Sequence, residues 1–355
     1  MTHFHLAVEL TPAGLHPAAW RLPSEDAAGA FTARHWLRRA HAAEQAGASL
    51  VIVDDSAAPP AERPGRFAGS LDAVGIAALL GPLTSGIGLA PVVPVTYREP
   101  FHVGKEIQTL DHVSLGRGAV QVDVAAPALD PRSGAEALRY DERVPRELPA
   151  LWREAEDTIE VLERLWDSWE DDAIILDAVG DRYIDRDKVH AIEFTGEFFS
   201  VHGASITPRS PQGRPVVVLR GDEPHELAVA SRRADVIRVR TPESAAAVRA
   251  VVSDAVTVLL DVDVLVAPSD AEADELRAAL DAFEPWSWDG VLVGGPATVA
   301  TALTRLADVA DGVTVRPVAG DAALLAGLLP VVETRGTLRE TLGLPRPTSR
   351  YAAAH

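Results

Sequence analysis

Two histidines and one aspartate are the side chains of this sequence best suited to moving protons in a reaction: His16, Asp54 and His102. Imidazole and carboxylate groups are the usual general acids and bases of enzymes. Each also has a structural interpretation. His16 could cap a turn or pack in the interior, which the residues alone favour, and His102 could be a surface group of a helix. Asp54, like its neighbour Asp55, could cap the turn that follows.

Other kinds of catalytic centre are excluded by the residues present. The 355-residue chain has no cysteine, which rules out a thiolate nucleophile, a disulfide scaffold and cysteine-ligated metal or iron–sulfur sites. Its 11 histidines show no HExxH motif or other convincing metal-binding spacing. The GxSxG motif of serine hydrolases is absent as well. By themselves the residues therefore identify no reaction.

Polar side chains also recur at every second position in four segments rich in valine and leucine. The pairs are Gln121 and Asp123, Arg238 and Arg240, Asp261 and Asp263, and Thr314 and Arg316. Alternate residues of a β-strand point to the same side, so each pair shares one face. Burying so many charges is costly unless they pair. We therefore expect either a self-satisfying Asp–Arg network or, near the carboxyl ends of the strands, the lining of a pocket for a polar ligand.

The elements that position these residues are clearest between Leu83 and Val124. This stretch contains a β-branched run that stops at Pro94, a helix over 99–111 with one apolar face, and a second strand, VQVDV. Two strands joined by a helix of this length must be parallel, because a hairpin cannot make that connection.

The same alternation of strand and helix recurs along the whole chain. We predict strands at about 3–10, 50–53, 87–93, 120–124, 215–219, 236–239, 256–266 and 312–318. We predict helices at about 32–46, 70–80, 99–111, 147–169, 224–233, 242–254, 270–283, 296–309 and 321–335. Eight such repeats predict a (β/α)8 TIM barrel, whose active face is formed by the loops after the strands. A doubly wound open sheet is the main alternative, but the first loop, TPAGLH, lacks the GxGxxG motif of that fold.

Length and composition place further limits. We expect a single domain over 1–355, with the polar segment 170–214 as a surface insertion containing a hairpin that turns at Thr195-Gly196. The net charge of −19 argues against nucleic acid and anionic membranes as partners. No signal peptide or apolar run of about 20 residues is present, so we expect a soluble cytoplasmic protein.

Several long strings resemble the bacterial luciferase-like, flavin-dependent monooxygenases. IGLAPVVPVTYREPFHVGKEIQTLDHVSLGRG is similar to that family's region from strand three to strand four. LWDSWEDDAIILD, HAIEFTGEFFSVHGASITPRSPQGRPVVV and LRETLGLPRPTSRY resemble the branch of nitrilotriacetate monooxygenase, dibenzothiophene-sulfone monooxygenase and pristinamycin synthase. The resemblance implies a homodimer that uses O2 and FMN, with the FMN supplied in reduced form by a separate flavin reductase. It also implies that one oxygen atom is inserted into a small-molecule substrate.

The resemblance further implies a set of cofactor-binding residues. They are Ala90, Gln121, Asp123, Tyr140, Arg220, Gly221 and Asp222. The chain departs from the family after the fifth strand, where Ala-Gly-Ser-Ser becomes Arg220-Gly221-Asp222-Glu223. Two carboxylates there replace two hydroxyls that hold the flavin phosphate, and they repel a dianion unless Arg220 compensates.

Three functions are therefore open. The resemblance favours a two-component FMN-dependent monooxygenase. A second function is hydride transfer by a deazaflavin-dependent oxidoreductase. The third is a degenerate homologue that binds flavin weakly or not at all.

Overall fold

Thirteen strands are present in the computed structural model, which describes residues 4–56, 65–125, 147–320 and 322–351. In chain order they are β1 (His5–Leu10), β2 (Leu50–Val53), β3 (Gly88–Pro94), β4 (Ala119–Asp123), β5 (Ile174–Asp177), β6 (Arg182–Ile184), β7 (Ile192–Thr195), β8 (Ser200–Gly203), β9 (Val216–Arg220), β10 (Val236–Val239), β11 (Thr257–Val266), β12 (Leu292–Gly294) and β13 (Gly312–Ala319). Strands β1–β4, β9–β11 and β13 are parallel and close on themselves, because β13 pairs with β1 and β10 pairs with β11. The predicted eight-stranded barrel is confirmed.

Eight helices cover the outside of the barrel in the described residues, and a short ninth helix lies at its amino-terminal end. They are α1 (Ala33–Gln45), α2 (Ala73–Leu80), α3 (Pro100–Val113), α4 (Leu148–Asp167), α5 (Pro224–Arg233), α6 (Pro242–Arg249), α7 (Asp270–Phe283), α8 (Pro296–Thr304) and the short α9 (Leu338–Thr341). Side-chain caps begin several of them: the Asp72 carboxylate accepts the Gly75 N–H at 2.8 Å, and Glu99 accepts the N–H of His102 at 3.0 Å. Within the described residues, no helix has the length and apolar character needed to cross a bilayer.

The two faces of each barrel strand have different surroundings. In β1, Leu6 and Val8 belong to the large apolar cluster between strands and helices, whereas Ala7 belongs to a smaller cluster inside the barrel. The inner cluster also contains Ala90 of β3 and Leu259 of β11. Because side chains alternate along a strand, Glu9 shares the inner face with Ala7.

The chain's last segment fills the amino-terminal end of the barrel. Leu338, Leu342 and Leu344 join the inner apolar cluster. The Leu338 N–H donates to the carbonyl of Gly116 at 2.9 Å, which fixes the segment beneath β4. The Arg339 guanidinium anchors it further through an ion pair with Asp235 at 2.8 Å.

The segment between α4 and β9 contains two antiparallel hairpins, β5–β6 and β7–β8. The second is the predicted hairpin, with Thr195 paired to Ser200 next to the turn. The insertion is attached to the barrel by Asp167 at the end of α4, whose carboxylate pairs with Arg209 at 3.2 Å and with Arg214.

The predicted helix over 321–335 is wrong. Among the described residues 322–335 a short 3-10 helix is the only helix, at Ala322–Leu325, and Val331 then forms a parallel bridge with Phe4. Gly327, at φ +71°, and Pro330 explain the early end, since neither continues a helix readily.

Two smaller differences concern the end of a helix and an additional strand. Helix α6 ends at Arg249, not at 254, because the β-branched residues Val251 and Val252 follow. Strand β12 was not expected, and it extends the barrel sheet beside the carboxyl half of β11, with Leu292 opposite Val264.

Candidate active site

Arg238 of β10 lies at the centre of the barrel and is fully buried. Its Nε and Nη2 donate to the two oxygens of Asp261 at 2.8 and 3.0 Å. Its Nη1 donates to Gln121 Oε1 at 2.7 Å and its Nη2 to Glu9 Oε2 at 2.5 Å. The guanidinium is therefore surrounded by acceptors from three other strands.

Two more arginines extend this network toward the carboxyl ends of the strands. The Arg316 guanidinium lies 3.2 Å from Glu9 and 3.0 Å from Asp263. Arg220 donates to Asp261 Oδ2 at 3.1 Å. The network is held together by charge-assisted hydrogen bonds, which are stronger than neutral ones.

The electrostatics favour ionised groups in this network. Burial opposes the charge of Glu9, but Arg238 and Arg316 outweigh it and lower the Glu9 pKa to about 2. Burial likewise opposes the charge of Arg238, yet Asp261 and Glu9 raise its pKa above the ordinary arginine range.

The self-satisfying network predicted from the polar pairs is thus present inside the barrel. Its inner members, Gln121, Arg238 and Asp261, are at most 8% exposed, and Asp123 and Arg316 nearer the rim are half-buried. Glu9 was not predicted as a member. Its position two residues after Ala7, on the face opposite Leu6 and Val8, was the available signal.

Arg240 is the rim arginine without a carboxylate in ion-pairing distance among the described residues. It lies two residues after Arg238, directly after the end of β10, and its side chain is exposed. Its positive charge lowers the pKa of Asp123 and Asp263, although burial leaves both pKa values raised overall.

A cavity of about 480 Å³ opens beside this network, at the carboxyl ends of β1 and β2. Its walls come from the loop after β1, the loop after β2 and the segment that leads into α2. The residues that matter chemically are His16, Trp20, Trp36, Asp54, Asp55 and Phe67. The volume is in the range of small-molecule sites.

Asp54 connects the cavity to the network. The residue lines the cavity and is exposed. Desolvation by the protein atoms around the carboxyl group, together with the negative charge of Glu9, raises the Asp54 pKa to about 7 against the opposing charges of Arg220 and Arg238. A carboxyl group in this state can donate or accept a proton near neutral pH.

His16 lies in the cavity wall and is 2% exposed. Its Nδ1 accepts the Ala18 N–H at 3.0 Å, so in the neutral ring Nε2 carries the proton. Nε2 is buried and has no hydrogen-bond partner in the described structure. The ring packs against Trp288 and Trp286, with ring centroids 5.8 and 5.4 Å apart, and burial lowers the His16 pKa.

The other predicted site residues lie elsewhere. His102 is exposed in the first turn of α3, outside the residues that line this cavity. Ala90 is part of the inner apolar wall. The half-buried Asp123 accepts its neighbour's N–H, that of Val124, at 2.7 Å. Tyr140 falls outside the described residues.

The loop after β9 does not fit a phosphate dianion. Glu226 Oε2 accepts the backbone N–H groups of both Asp222 and Glu223 at 3.1 Å. Asp222 Oδ1 accepts the Arg240 N–H at 2.7 Å. These two N–H groups lead into the first turn of α5, where anions commonly bind, and the chain's own carboxylate already accepts both of them.

Gly221 makes close contact on the side away from the cavity. A Cβ there would lie 2.7 Å from Ile237 Cγ2 and 3.2 Å from Val248 Cγ2. Glycine is therefore required for packing between β10 and α6, and this explains why it is retained when its neighbours differ from the family pattern.

Carboxylates also occupy backbone donors after the last barrel strands, where barrels commonly bind phosphate. Glu25 Oε1 accepts the N–H of Gly320, at the end of β13, at 2.8 Å. Asp270 Oδ1 accepts the N–H of Gly295, before α8, at 2.6 Å. At these three places of the described rim, the backbone N–H groups already donate to carboxylates and are not available to a phosphate.

Comparison with known proteins gives a family match and several relatives. A family model described as luciferase-like monooxygenase matches residues 15–290. N-acetyl-S-(2-succino)cysteine monooxygenase of Bacillus subtilis (strain 168) is 31% identical over 235 residues, covering 65% of this chain and 51% of the relative. One polypeptide of the pristinamycin IIA synthase of Streptomyces pristinaespiralis is 29% identical over 320 residues, covering 89% and 90%. The chain thus spans about half the length of the Bacillus relative.

A solved structure supports the fold in the same way. Riboflavin lyase, crystallised with modified FMN and its substrate riboflavin, superposes with a TM-score of 0.83 at 22% identity, covering 98% of both chains. Similarity at this level of identity concerns the architecture.

Proposed function

The chain belongs to the luciferase-like monooxygenase family, and from that premise we propose that it is a flavin-dependent monooxygenase. In this proposal it uses reduced flavin and O2 to insert one oxygen atom into a small organic substrate. A separate flavin reductase supplies the reduced flavin, as the name of another relative, nitrilotriacetate monooxygenase component A of Aminobacter aminovorans, suggests for that protein.

The cavity at the carboxyl ends of β1 and β2 is the observation that carries the proposal. His16 and Asp54 both line this cavity, which lies at the end of the barrel where barrel enzymes have their active sites. A flavin supplies the oxygen chemistry itself when bound, so a chain without cysteine needs to contribute only binding, orientation and proton transfer.

The chain's own groups suit these tasks. The Asp54 carboxyl can hold or release a proton at neutral pH, and the buried His16 Nε2–H, in the wall of the same cavity, has no acceptor among the described residues. Trp20 and Trp36 use their indole N–H groups on the carbonyls of Gly65 and Ala30, so they offer the cavity apolar surface. Such walls help to exclude water from a reactive centre.

FMN is the flavin that the family resemblance implies. The N–H groups in the loop after β9 already donate to Glu226, however, and this argues against strong binding of the FMN phosphate there. We therefore infer that the ring system supplies most of the binding and that the phosphate adds little. The same observation favours one alternative, a homologue that no longer binds flavin.

Titration with flavins tests the proposal against that alternative. We expect quenching of flavin fluorescence with a Kd in the micromolar range for oxidised FMN, and comparable or tighter binding of reduced FMN under anaerobic conditions. Asp54→Asn should alter the affinity, whereas Asp308→Asn, an exposed residue ahead of β13 on the opposite face of the barrel, should leave it unchanged. Failure of both oxidised and reduced FMN to bind in the millimolar range would favour the non-binding homologue.

A further inference from the structure

The cavity beside β1 and β2 has an unbalanced charge. Two carboxylates, Asp54 and Asp55, line it, and Arg66 is the cationic side chain among its described lining residues. The Arg66 guanidinium is already paired with Glu284, at 2.5 Å. The cavity therefore offers negative charge that no lining group of the described chain neutralises.

The two carboxylates differ in what they are free to do. Asp55 is committed to the backbone, because its oxygens accept the N–H groups of Ser56 at 2.8 Å and Ala73 at 3.0 Å. Asp54 has no hydrogen-bond donor within reach among the described residues, and it is exposed and lines the cavity. Asp54 is thus the group available to a ligand.

A second, independent feature points to an occupant. Among the described residues the buried His16 Nε2 has no hydrogen-bond partner, and His16 lines the same cavity. Leaving a buried donor unpaired is unfavourable, and a ligand with a hydrogen-bond acceptor would remove that cost. Aromatic side chains, Trp20, Trp36 and Phe67, form much of the remaining wall.

We propose that this cavity binds an organic cation, a small protonated amine attached to an apolar group, with its ammonium against the Asp54 carboxylate. Aromatic walls attract cations as well as apolar groups, so they suit both ends of such a ligand. A polar acceptor on the ligand would accept a hydrogen bond from the Nε2–H of His16. The assignment of this ligand as the substrate rests on the proposed monooxygenase function, whereas its binding does not.

The pH dependence of binding follows from the groups around Asp54. Glu9 of β1, Arg220 of β9, Arg238 of β10 and the adjacent Asp55 face it. Glu9, with a pKa of about 2, and Arg238, whose pKa is raised, keep their charge between pH 6 and 8, and burial lowers the pKa of His16. Asp54, with a pKa of about 7, is the group that ionises as the pH rises, so affinity for a cation increases.

Three probes of one shape test the proposal without flavin: 2-phenylethylamine as the cation, 3-phenylpropionate as the anion and 2-phenylethanol as the neutral compound. Calorimetry or tryptophan fluorescence gives each Kd. We expect the amine to bind about tenfold more tightly than the anion at pH 8, as a charge-assisted hydrogen bond implies. Its affinity should rise up to about tenfold from pH 6 to pH 8, whereas that of the alcohol should not change.

Asp54→Asn should remove both the preference for the amine and its pH dependence, because an isosteric amide keeps the shape and loses the charge. The matched control, Asp308→Asn, should keep both. Equal binding of amine and anion by the native protein, a preference that survives in Asp54→Asn, or no binding of the amine would each overturn the proposal. Flavin titration is a separate measurement, so amine binding without flavin binding would refute the oxygenase assignment while leaving the cation site in place.

Discussion

At the scale of single residues, the interior of this barrel shows what permits a charge to be buried. Arg238 has Asp261, Gln121 and Glu9 as acceptors, all at 3.0 Å or less. A buried charge that loses its partner is destabilising by several kcal/mol, more than the pair contributes over an apolar replacement. The network therefore makes each member dependent on the others.

Glu9 gives this dependence a pH signature. Its pKa is about 2 in the folded protein and 4.5 is its ordinary value, so its contribution to stability is complete above pH 4.5 and is lost as the pH falls toward 2. We expect about 3 kcal/mol of acid-dependent unfolding free energy from this group. Urea unfolding of the native protein and of Glu9→Gln across this pH range measures it.

In Glu9→Gln the stability should be lower at pH 7 and should change less between pH 4.5 and 2 than in the native protein. Glu275→Gln, at an exposed position of α7, serves as the control and should follow the native curve. Parallel curves for Glu9→Gln and the native protein would contradict the role given to Glu9.

Residue-level prediction from the sequence reached only part of this arrangement. The two-residue spacing located Gln121, Arg238 and Asp261 on inner faces, but it left open whether they pair with one another or with a ligand. Glu9 was missed because it forms no two-residue polar pair within its strand, and only its place on the same face as Ala7 pointed to the barrel interior. The roles of His16 and Asp54 stay predictions, although the structure places both in one cavity.

At the scale of elements, the start of α5 determines how the rim treats anions. Glu226, in the first turn, directs its carboxylate back to the N–H groups of Asp222 and Glu223. A helix start capped in this way has its positive end already neutralised. The resemblance implies hydroxyl side chains at these positions in the family, which leave the start of the helix available to an anion. In this chain the N–H groups there already donate to a carboxylate.

Glu226→Ala should open this site. We expect the native protein to bind FMN and riboflavin with affinities within about threefold of each other, and the variant to prefer FMN by several-fold, because two backbone donors and the helix dipole become available to the phosphate. Loss of the cap should cost about 1 kcal/mol of stability. Parallel flavin titrations with both compounds give the ratio.

Glu243→Ala is the matched control, since Glu243 lies exposed in the first turn of the next helix, α6, where the Thr241 side chain forms the cap. It should leave the ratio unchanged. A strong preference of the native protein for FMN would show that the phosphate binds elsewhere on the rim.

Elements themselves were largely predictable. The bounds of β2, β10, α5 and α7 agree with those expected, because strong apolar periodicity and clear breaking residues define them. The helix expected over 321–335 was wrong because Gly327, at positive φ, and Pro330 interrupt it. The capping of α5 by Glu226 could not be foreseen, since an acid in a first turn also occurs without such bonds, as in α6.

At the scale of the whole molecule, closure of the barrel depends on contacts between distant parts of the chain. Gly88, at the start of β3, leaves room for Leu338 of α9: a Cβ at Gly88 would lie 2.6 Å from Leu338 Cδ1. Leu338 is 1% exposed. The amino-terminal end of the barrel is therefore packed only when the last helix is in place.

A double-mutant cycle measures this contact. Gly88→Ala should destabilise by about 1–3 kcal/mol through overpacking, and Leu338→Ala by about 2–5 kcal/mol through loss of buried volume. The double variant should be less destabilised than the sum by at least about 0.5 kcal/mol, because the smaller side chain admits the added methyl group. Denaturant unfolding of the three variants gives the coupling.

Gly104→Ala provides the comparison, because a Cβ there would contact Leu162 and Leu165 of α4 instead, at 3.3 Å. Its effect should add to that of Leu338→Ala. Additivity in both cycles would mean that the last helix packs independently of β3.

The overall architecture followed from the sequence because eight repeats of strand and helix leave few alternatives to closure. The family resemblance is likewise confirmed by the match over residues 15–290. The segment that fills the amino-terminal end of the barrel could not be predicted, because LRETLG has too few residues to show the apolar spacing of a helix.

The pairing of β1 with β13 has a consequence for how the protein is made. The first barrel strand leaves the ribosome some 300 residues before its partner, from His5 to Gly312. At cellular rates of translation this amounts to roughly 15 to 60 seconds in which the nascent chain carries an open strand edge. Such an edge is a template for wrong pairing, so the growing polypeptide should need a chaperone until its final strand has been synthesised.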